Sequence, residues 1–346
     1  MERFLRGLGL TQGERLVAAV SGGADSLALV LVLRILAPRL DLHISALTVD
    51  HGLLPEAAFI AARVTEQCAT LGIDCVSQKA DVSGLAVRER LGIEEAGRKL
   101  RYRLLEEERS AKGAQYIALG HHRADLAEDV LMRLTRGTGW PGLGGMDARD
   151  DKRHLLRPLL FTDPRALRDI LRECRISWFE DPSNADQRFK RNRIRHTILP
   201  SLKKENPSLE YCLARLWRLA QTDRDYWEKI LDALTDKIRW NAKDEEISLP
   251  TELLHDLHAA IRLRLYLRVL SLLTDTAAEN RHTGQARADT LLALDAALER
   301  GRGNACFQLP GGVEARLNKG AVILSRLNKI NKPCIRESEI VSRSGR

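Results

Sequence analysis

Val17–Leu33 reads VAAVSGGADSLALVLVL. An apolar run passes into Ser21-Gly22-Gly23-Ala24-Asp25-Ser26, and an apolar stretch long enough for a helix follows without a gap. A buried strand that leads through two adjacent glycines into a helix makes a cradle for phosphate. The glycines let backbone N–H groups approach closely, and the helix start offers free donors and a positive dipole end. Ser21 and Ser26 add hydroxyl donors. The lysine of G-x-x-x-x-G-K-[ST] is missing, so this is not a Walker loop. A carboxylate inside an anion cradle is repulsive unless a cation offsets it, so Asp25 implies Mg²⁺ shared with the phosphates. The other reading, a tight turn capped by Asp25, is weakened by the strand before it and the helix after it.

Outward from this loop, apolar runs alternate with helical patterns over the first 135 residues. Arg15–Val20, Leu42–Val49, Ile73–Lys79 and Tyr116–Leu119 read as short buried strands. Asp25–Ala37, Pro55–Leu71, Glu94–Lys112 and Ala124–Arg136 read as helices. Such alternation predicts an α/β fold, a doubly wound parallel sheet with helices on both faces, whose ligand site lies at the carboxyl ends of the strands. Gly137–Gly145 (GTGWPGLGG) is a loop, and Asp163–Cys174 is one further helix. A polar turn follows at Asp181–Asn184, then a helix closed by Pro200 or Pro207. Residues 208–300 read as all helix, with Trp217, Trp227 and Trp240 in its core, and Ala305–Leu327 as a hairpin around Pro310-Gly311-Gly312. The division expected is residues 1–207, 208–327 as a smaller, mainly helical domain with a C-terminal hairpin, and a polar tail at 328–346.

Composition narrows the class. The 346 residues are 44% hydrophobic and 29% charged, which excludes collagen-like, coiled-coil and mostly disordered chains. Leu27–Leu33 is the longest apolar run, far short of the ~20 residues of a membrane span. With no apolar stretch at the N-terminus suited to secretion, a cytoplasmic protein is expected. Six cysteines without a C-x-x-C pair speak against a disulfide framework, a zinc ribbon or a cysteine-ligated cluster. The net charge is +8, and Arg188–Arg195 (RFKRNRIR) holds five basic residues and no acid. That suits a polyanion such as nucleic acid, although a solvated basic helix face reads the same way.

Several motifs accompany the loop. Val49-Asp50-His51-Gly52-Leu53 closes the second strand, and Glu94, Arg98 and Arg101 share one helical face at i, i+4 and i+7. His122 stands just past a strand, with Asp125 and Glu128 one turn apart on the next helix, so all three belong beside the loop. Trp178, Glu180-Asp181-Pro182-Ser183-Asn184 and Arg191-Asn192-Arg193-Ile194-Arg195-His196 complete the set. SGGADS resembles the S-G-G-x-D-S loop of PP-loop ATP pyrophosphatases. Over residues 15 to about 205 the motifs together resemble tRNA(Ile)-lysidine synthetase, with Leu54, Ala124 and Asp129 departing from its pattern.

The resemblance implies a Rossmann-like PP-loop ATPase fold, ATP and Mg²⁺. It also implies two substrates: free L-lysine and an isoleucine tRNA with a CAU anticodon, whose wobble cytidine is adenylated at C2 and attacked by the lysine ε-amine. Asp25, His122, Asp125, Glu128 and Arg191 would be catalytic, with Asp25 on the metal. Ser21, Gly22, Gly23, Ala24, Asp25, Ser26, Asp50 and His51 would hold the nucleotide. Glu94, Arg98, Arg101, Arg193 and Arg195 would meet substrate or tRNA. Asp50, Asp125 and Glu128 are candidates for holding lysine; one of the carboxylates, or His122, would take its proton. The competing activities are tRNA sulfuration, which usually needs a cysteine pair, and adenylation of a small molecule, which gives the basic run no purpose.

Overall fold

The computed structural model describes residues 1–52, 56–180, 186–235, 238–241, 245–274 and 284–326. The chain divides into two compact units, residues 1–132 with 145–217, and residues 133–144 with 218–346. The expected boundary at Pro207 thus shifts to Trp217, and most of the Gly-rich loop groups with the later unit. The 328–346 tail, Leu54 and the Asp181–Asn184 turn lie outside the described residues. Among the described residues no helix is long and apolar enough to cross a membrane.

The first unit is built on a six-stranded sheet. Its strands are β1 (Arg15–Ala19), β2 (His43–Asp50), β3 (Asp74–Lys79), β4 (Tyr116–Ala118), β5 (Arg149–Asp150) and β6 (Leu155–Leu156), in the order β3-β2-β1-β4-β6-β5. All pairings are parallel except β5 with β6. The short β5–β6 pair adds an edge to the four strands expected from sequence.

Alternation along β1 explains the two covered faces. Leu16 and Ala18 enter a core shared with α2 (Ala24–Leu40), α3 (Ala57–Thr70) and α7 (Pro164–Glu173). Val17 points the other way, into a core with Leu47, Ile117, Leu155 and Leu105 of α5 (Ile93–Ala111). Helix α1 (Glu2–Gly7) packs on α2, and α4 (Val82–Glu89) on α5. Helix α2 is buried on nearly every face, which is why its apolar run has no polar stripe. Successive strands run outward from β1 through β2 to β3, and the order reverses between β1 and β4. That reversal is the switch point, and both loops that follow these strands open there.

The remaining helices of this unit are α6 (Arg123–Leu134), α8 (Lys190–Arg193), α9 (Leu199–Glu205) and the start of α10 (Leu209–Thr235). Between α8 and α9, Ile194–Ile198 forms a wider, π-type turn.

The second unit carries a five-stranded antiparallel sheet. Strands β7 (Arg239–Asn241), β8 (Glu246–Pro250), β9 (Ala305–Leu309), β10 (Val313–Leu317) and β11 (Ala321–Arg326) lie in the order β7-β8-β11-β10-β9. The β9–β10 turn falls at Pro310-Gly311-Gly312 as expected, with both glycines at positive φ. Two expectations are corrected. Residues 208–300 are not all helix, because β7 and β8 interrupt them, and the hairpin gains a third strand, β11. The cause is tertiary: β8 completes its hydrogen bonds on β11, some 75 residues along the chain, a pairing that local pattern does not reveal. Helices α11 (Thr251–His255), α12 (Ala259–Leu273) and α13 (Gly284–Glu299) complete the unit, and Tyr266, Val269, Leu294, Val322 and Leu324 form its core. Trp217 and Trp227 are half-buried rather than central, and the side chain of Trp240 lies outside the described residues.

Candidate active site

The loop after β1 is held by its own serines. Ser26 Oγ accepts from the Ser21 N–H at 3.1 Å and donates to the Gly23 carbonyl at 2.9 Å. Gly23 takes the extended N-cap position of α2, so the first-turn N–H groups have no partner within the helix. Gly22 needs its glycine: φ is +82° and a Cβ would sit 3.1 Å from Ile60 and Val64. Its carbonyl accepts from the Phe179 N–H at 2.9 Å, tying the loop to the segment after Trp178. At Gly23 a Cβ would meet nothing closer than 3.7 Å, so the space above it is open to a ligand.

Across the switch point, Gly120 brings the end of β4 against the first turn of α2. A Cβ there would lie 2.8 Å from the Asp25 carbonyl oxygen and 3.0 Å from its carbon. Both are backbone atoms and cannot swing aside. Gly120→Ala should therefore cost about 1–3 kcal/mol and displace Asp25. Denaturant melts check this, and an unchanged midpoint would mean that the two backbones separate freely.

His122 and Asp125 cap α6 reciprocally, as a capping box does. Asp125 Oδ2 accepts from the His122 N–H at 2.9 Å, and His122 Nδ1 accepts from the Asp125 N–H at 3.4 Å. The other ring nitrogen, Nε2, lies 3.4 Å from Asp25 Oδ2. A single imidazole thus bridges the phosphate loop and the α6 carboxylates. Burial acts to lower the His122 pKa, but Asp25 and Asp125 outweigh it and the net shift is upward. Burial would likewise raise Asp125, yet His122 and Arg191 bring it below the usual carboxylate range.

Two arginines close this cluster. Arg191 Nε donates to Glu128 Oε2 at 2.7 Å and its Nη2 to Asp125 Oδ1 at 2.6 Å. Arg195 Nε donates to Glu128 Oε1 at 2.5 Å, and its Nη2 reaches Asp125 Oδ1 and Glu128 Oε2, each at 3.1 Å. Glu128 is 1% exposed. The i, i+4 spacing of Arg191 and Arg195 puts both on one face, across the α8 and π turns.

The structure therefore brings Asp25, His122, Asp125, Glu128, Arg191 and Arg195 together. Outside the Ser21–Ser26 loop, the other expected residues have different neighbours. Arg195, expected on substrate or tRNA, donates to Asp125 and Glu128, and Arg193 donates to the Gln187 and Arg188 carbonyls. Arg188 pairs with Asp186 at 2.7 Å. At the end of β2, Asp50 accepts from the Gly52 N–H at 2.8 Å, while His51 Nε2 lies 3.4 Å from Arg101. Burial and the Arg101 charge hold the His51 pKa down. Arg98 lies over the Tyr102 ring and, with Glu94, Arg188 and Phe189, lines an open cleft of about 640 Å³.

Sequence reading missed Arg157 and the role of His121. Arg157 interrupts the apolar run Leu155–Leu160, and a lone charge in such a run is the signal that could have found it. Its Nε donates to His121 Nδ1 at 3.2 Å, and burial together with that guanidinium pushes His121 down to about 3. Adjacent histidines are thus shifted in opposite directions: His121 is lowered and serves Arg157 as an acceptor, while the carboxylates beside His122 shift it upward.

The donor set fits a metal shared with phosphate. Asp25 Oδ1 is buried without a hydrogen-bond partner. Among the described residues no group of three or more His, Cys, Asp or Glu is arranged to hold a metal alone. One free carboxylate oxygen at a phosphate cradle is the arrangement Mg²⁺ uses when a nucleotide supplies its other ligands.

Comparison with known proteins shows what the chain is similar to. The PP-loop domain family matches residues 2–202. A tRNA(Ile)-lysidine synthase of Nitratidesulfovibrio vulgaris is 45% identical over 324 residues, 89% of this chain and 91% of that one. One from Thermobifida fusca is 35% identical over 317 residues, covering 91% and 93%. Among solved structures, the U34-tRNA thiolase NcsA of Methanococcus maripaludis, with its [4Fe-4S] cluster, superposes with a TM-score of 0.53. It is 18% identical over 64% of this chain and 77% of that one, which is a likeness of fold alone.

Proposed function

We propose, from the premise that this chain belongs to the tRNA(Ile)-lysidine synthase family of PP-loop ATP-using ligases, that it converts the wobble cytidine of an isoleucine tRNA with a CAU anticodon to lysidine. The cytidine C2 oxygen attacks the α-phosphorus of ATP and pyrophosphate leaves. The ε-amine of free lysine, its proton taken by one of the carboxylates or by His122, then attacks C2, and AMP departs with the oxygen. The observation that carries the reading is the His122 bridge, which sets a carboxylate pair beside the phosphate loop.

In this reading the Ser21–Ser26 loop and the first turn of α2 hold the leaving pyrophosphate. Asp25 would hold Mg²⁺, which when bound supplies positive charge to the phosphates. Arg191 and Arg195 have the charge to meet the α-phosphate as negative charge builds there. Asp125 and Glu128 hold the lysine amine, and His122 orients both Asp25 and Asp125 from one ring. Glu94, Arg98 and Arg101 lie on a separate helix and serve the tRNA side of the cleft, with Asp50 and His51 beside the nucleotide. The second unit holds the body of the tRNA, and the reaction belongs in the cytoplasm.

The test is mass spectrometry of the wobble nucleoside after the full chain is incubated with unmodified isoleucine tRNA, ATP and isotopically labelled lysine. One lysine added per cytidine, with equimolar AMP, is expected. Labelled tRNA failing to appear while ATP–pyrophosphate exchange proceeds without tRNA would favour a small-molecule substrate instead.

A further inference from the structure

The carboxylates assigned to the lysine amine are already taken. Asp125 Oδ1 accepts from Arg191 and Arg195, and its Oδ2 faces the His122 N–H and ring. Both Glu128 oxygens accept from the same two guanidiniums. Two cations on two anions leave the cluster neutral, and an ammonium arriving here would meet two arginines before any free lone pair. The arginines are the movable half. Their side chains are 38% and 33% exposed, against 9% for Asp125 and 1% for Glu128, and they sit in and beside the π-type turn of a helical stretch that runs on into α9. One imidazole separates the cluster from Asp25 in the phosphate loop.

We infer that Arg191 and Arg195 form a counter-ion latch, so that lysine binds only after nucleotide. Triphosphate in the loop brings more negative charge than Asp125 and Glu128 carry, and it draws at least one guanidinium across. The vacated carboxylate edge then accepts the lysine ammonium. Each charge keeps a partner throughout: arginine exchanges carboxylate for phosphate, and carboxylate exchanges arginine for lysine. Lysine is thereby kept from the site until an adenylating group is in place. This inference rests on the assignment of Asp125 and Glu128 to lysine.

Linkage supplies the test, because coupling between two ligands is reciprocal. Equilibrium dialysis of labelled lysine against the full chain is run alone, with α,β-methylene ATP as its magnesium salt, and with inorganic pyrophosphate. The latch predicts at least about tenfold tighter lysine binding with the analogue. The same factor should appear in analogue affinity when lysine is added. Pyrophosphate should give part of the effect, since it carries charge without adenosine. In Arg195→Gln, lysine binding without nucleotide should strengthen and the coupling should shrink, a change that a merely structural arginine would not produce. Equal lysine affinity with and without nucleotide in the unaltered chain overturns the latch and leaves the proposed activity standing. Coupling that is undiminished in Arg195→Gln overturns it as well. Lysine binding in none of these states overturns the lysine-site assignment itself, and the latch with it.

Discussion

Asp25→Asn should lower lysidine formation by about a thousandfold, the loss expected when some 4 kcal/mol of charge stabilisation leaves the transition state. The substitution keeps size and position in the first turn of α2 and removes only the charge. The buried Oδ1, which has no protein partner, then offers an amide where a metal–phosphate unit needs an anion. Folding should hold, because the loop is braced by Ser26, the Gly22 carbonyl and the packing of α2, none of which uses the Asp25 carboxylate. Circular dichroism and a melt check the fold, and AMP release with tRNA and lysine reads the chemistry. Turnover within a few-fold of the unaltered protein would remove Asp25 from the chemical step.

Asp295→Ala should destabilise the second unit by about 3–5 kcal/mol, the cost of stranding one member of a buried ion pair. Arg262 and Asp295 are each 5% exposed. Arg262 donates to both Asp295 oxygens, at 2.7 and 2.8 Å, and also to the Leu257 carbonyl. Its other ion-pair partner, Glu299, is 59% exposed and recovers little in water. Hydrogen bonding to Asp295 pushes the Arg262 pKa up, and burial against the same aspartate pushes Tyr266 up. Against a typical domain stability of 5–15 kcal/mol, this unit should melt early while the first remains folded. ATP affinity should then persist and tRNA affinity fall, on the proposal that the second unit holds tRNA. Replacing both partners, Arg262→Met with Asp295→Leu, should restore most of the loss, since matched apolar pairs often equal buried ion pairs. A denaturant midpoint unmoved by Asp295→Ala would mean that Glu299 alone suffices.

Local chemistry and period made much of the first unit legible in sequence. A strand, two glycines and an apolar helix in Val17–Leu33 admit few backbone arrangements, and each is set by neighbours a few residues away. The same holds for His122, Asp125 and Glu128, whose spacing places them at one helix start. Tertiary structure decided what these groups face. Arg191 and Arg195 lie over 60 residues from Glu128, and nothing in RFKRNRIR distinguishes an arginine aimed at phosphate from one aimed at a buried carboxylate. The unpartnered oxygen of Asp25 and the lowered pKa of His121 arise from packing across the switch point. The β8–β11 pairing in the second unit is likewise a contact between distant segments, and burial and charge compensation between such segments are decided only when the chain has folded.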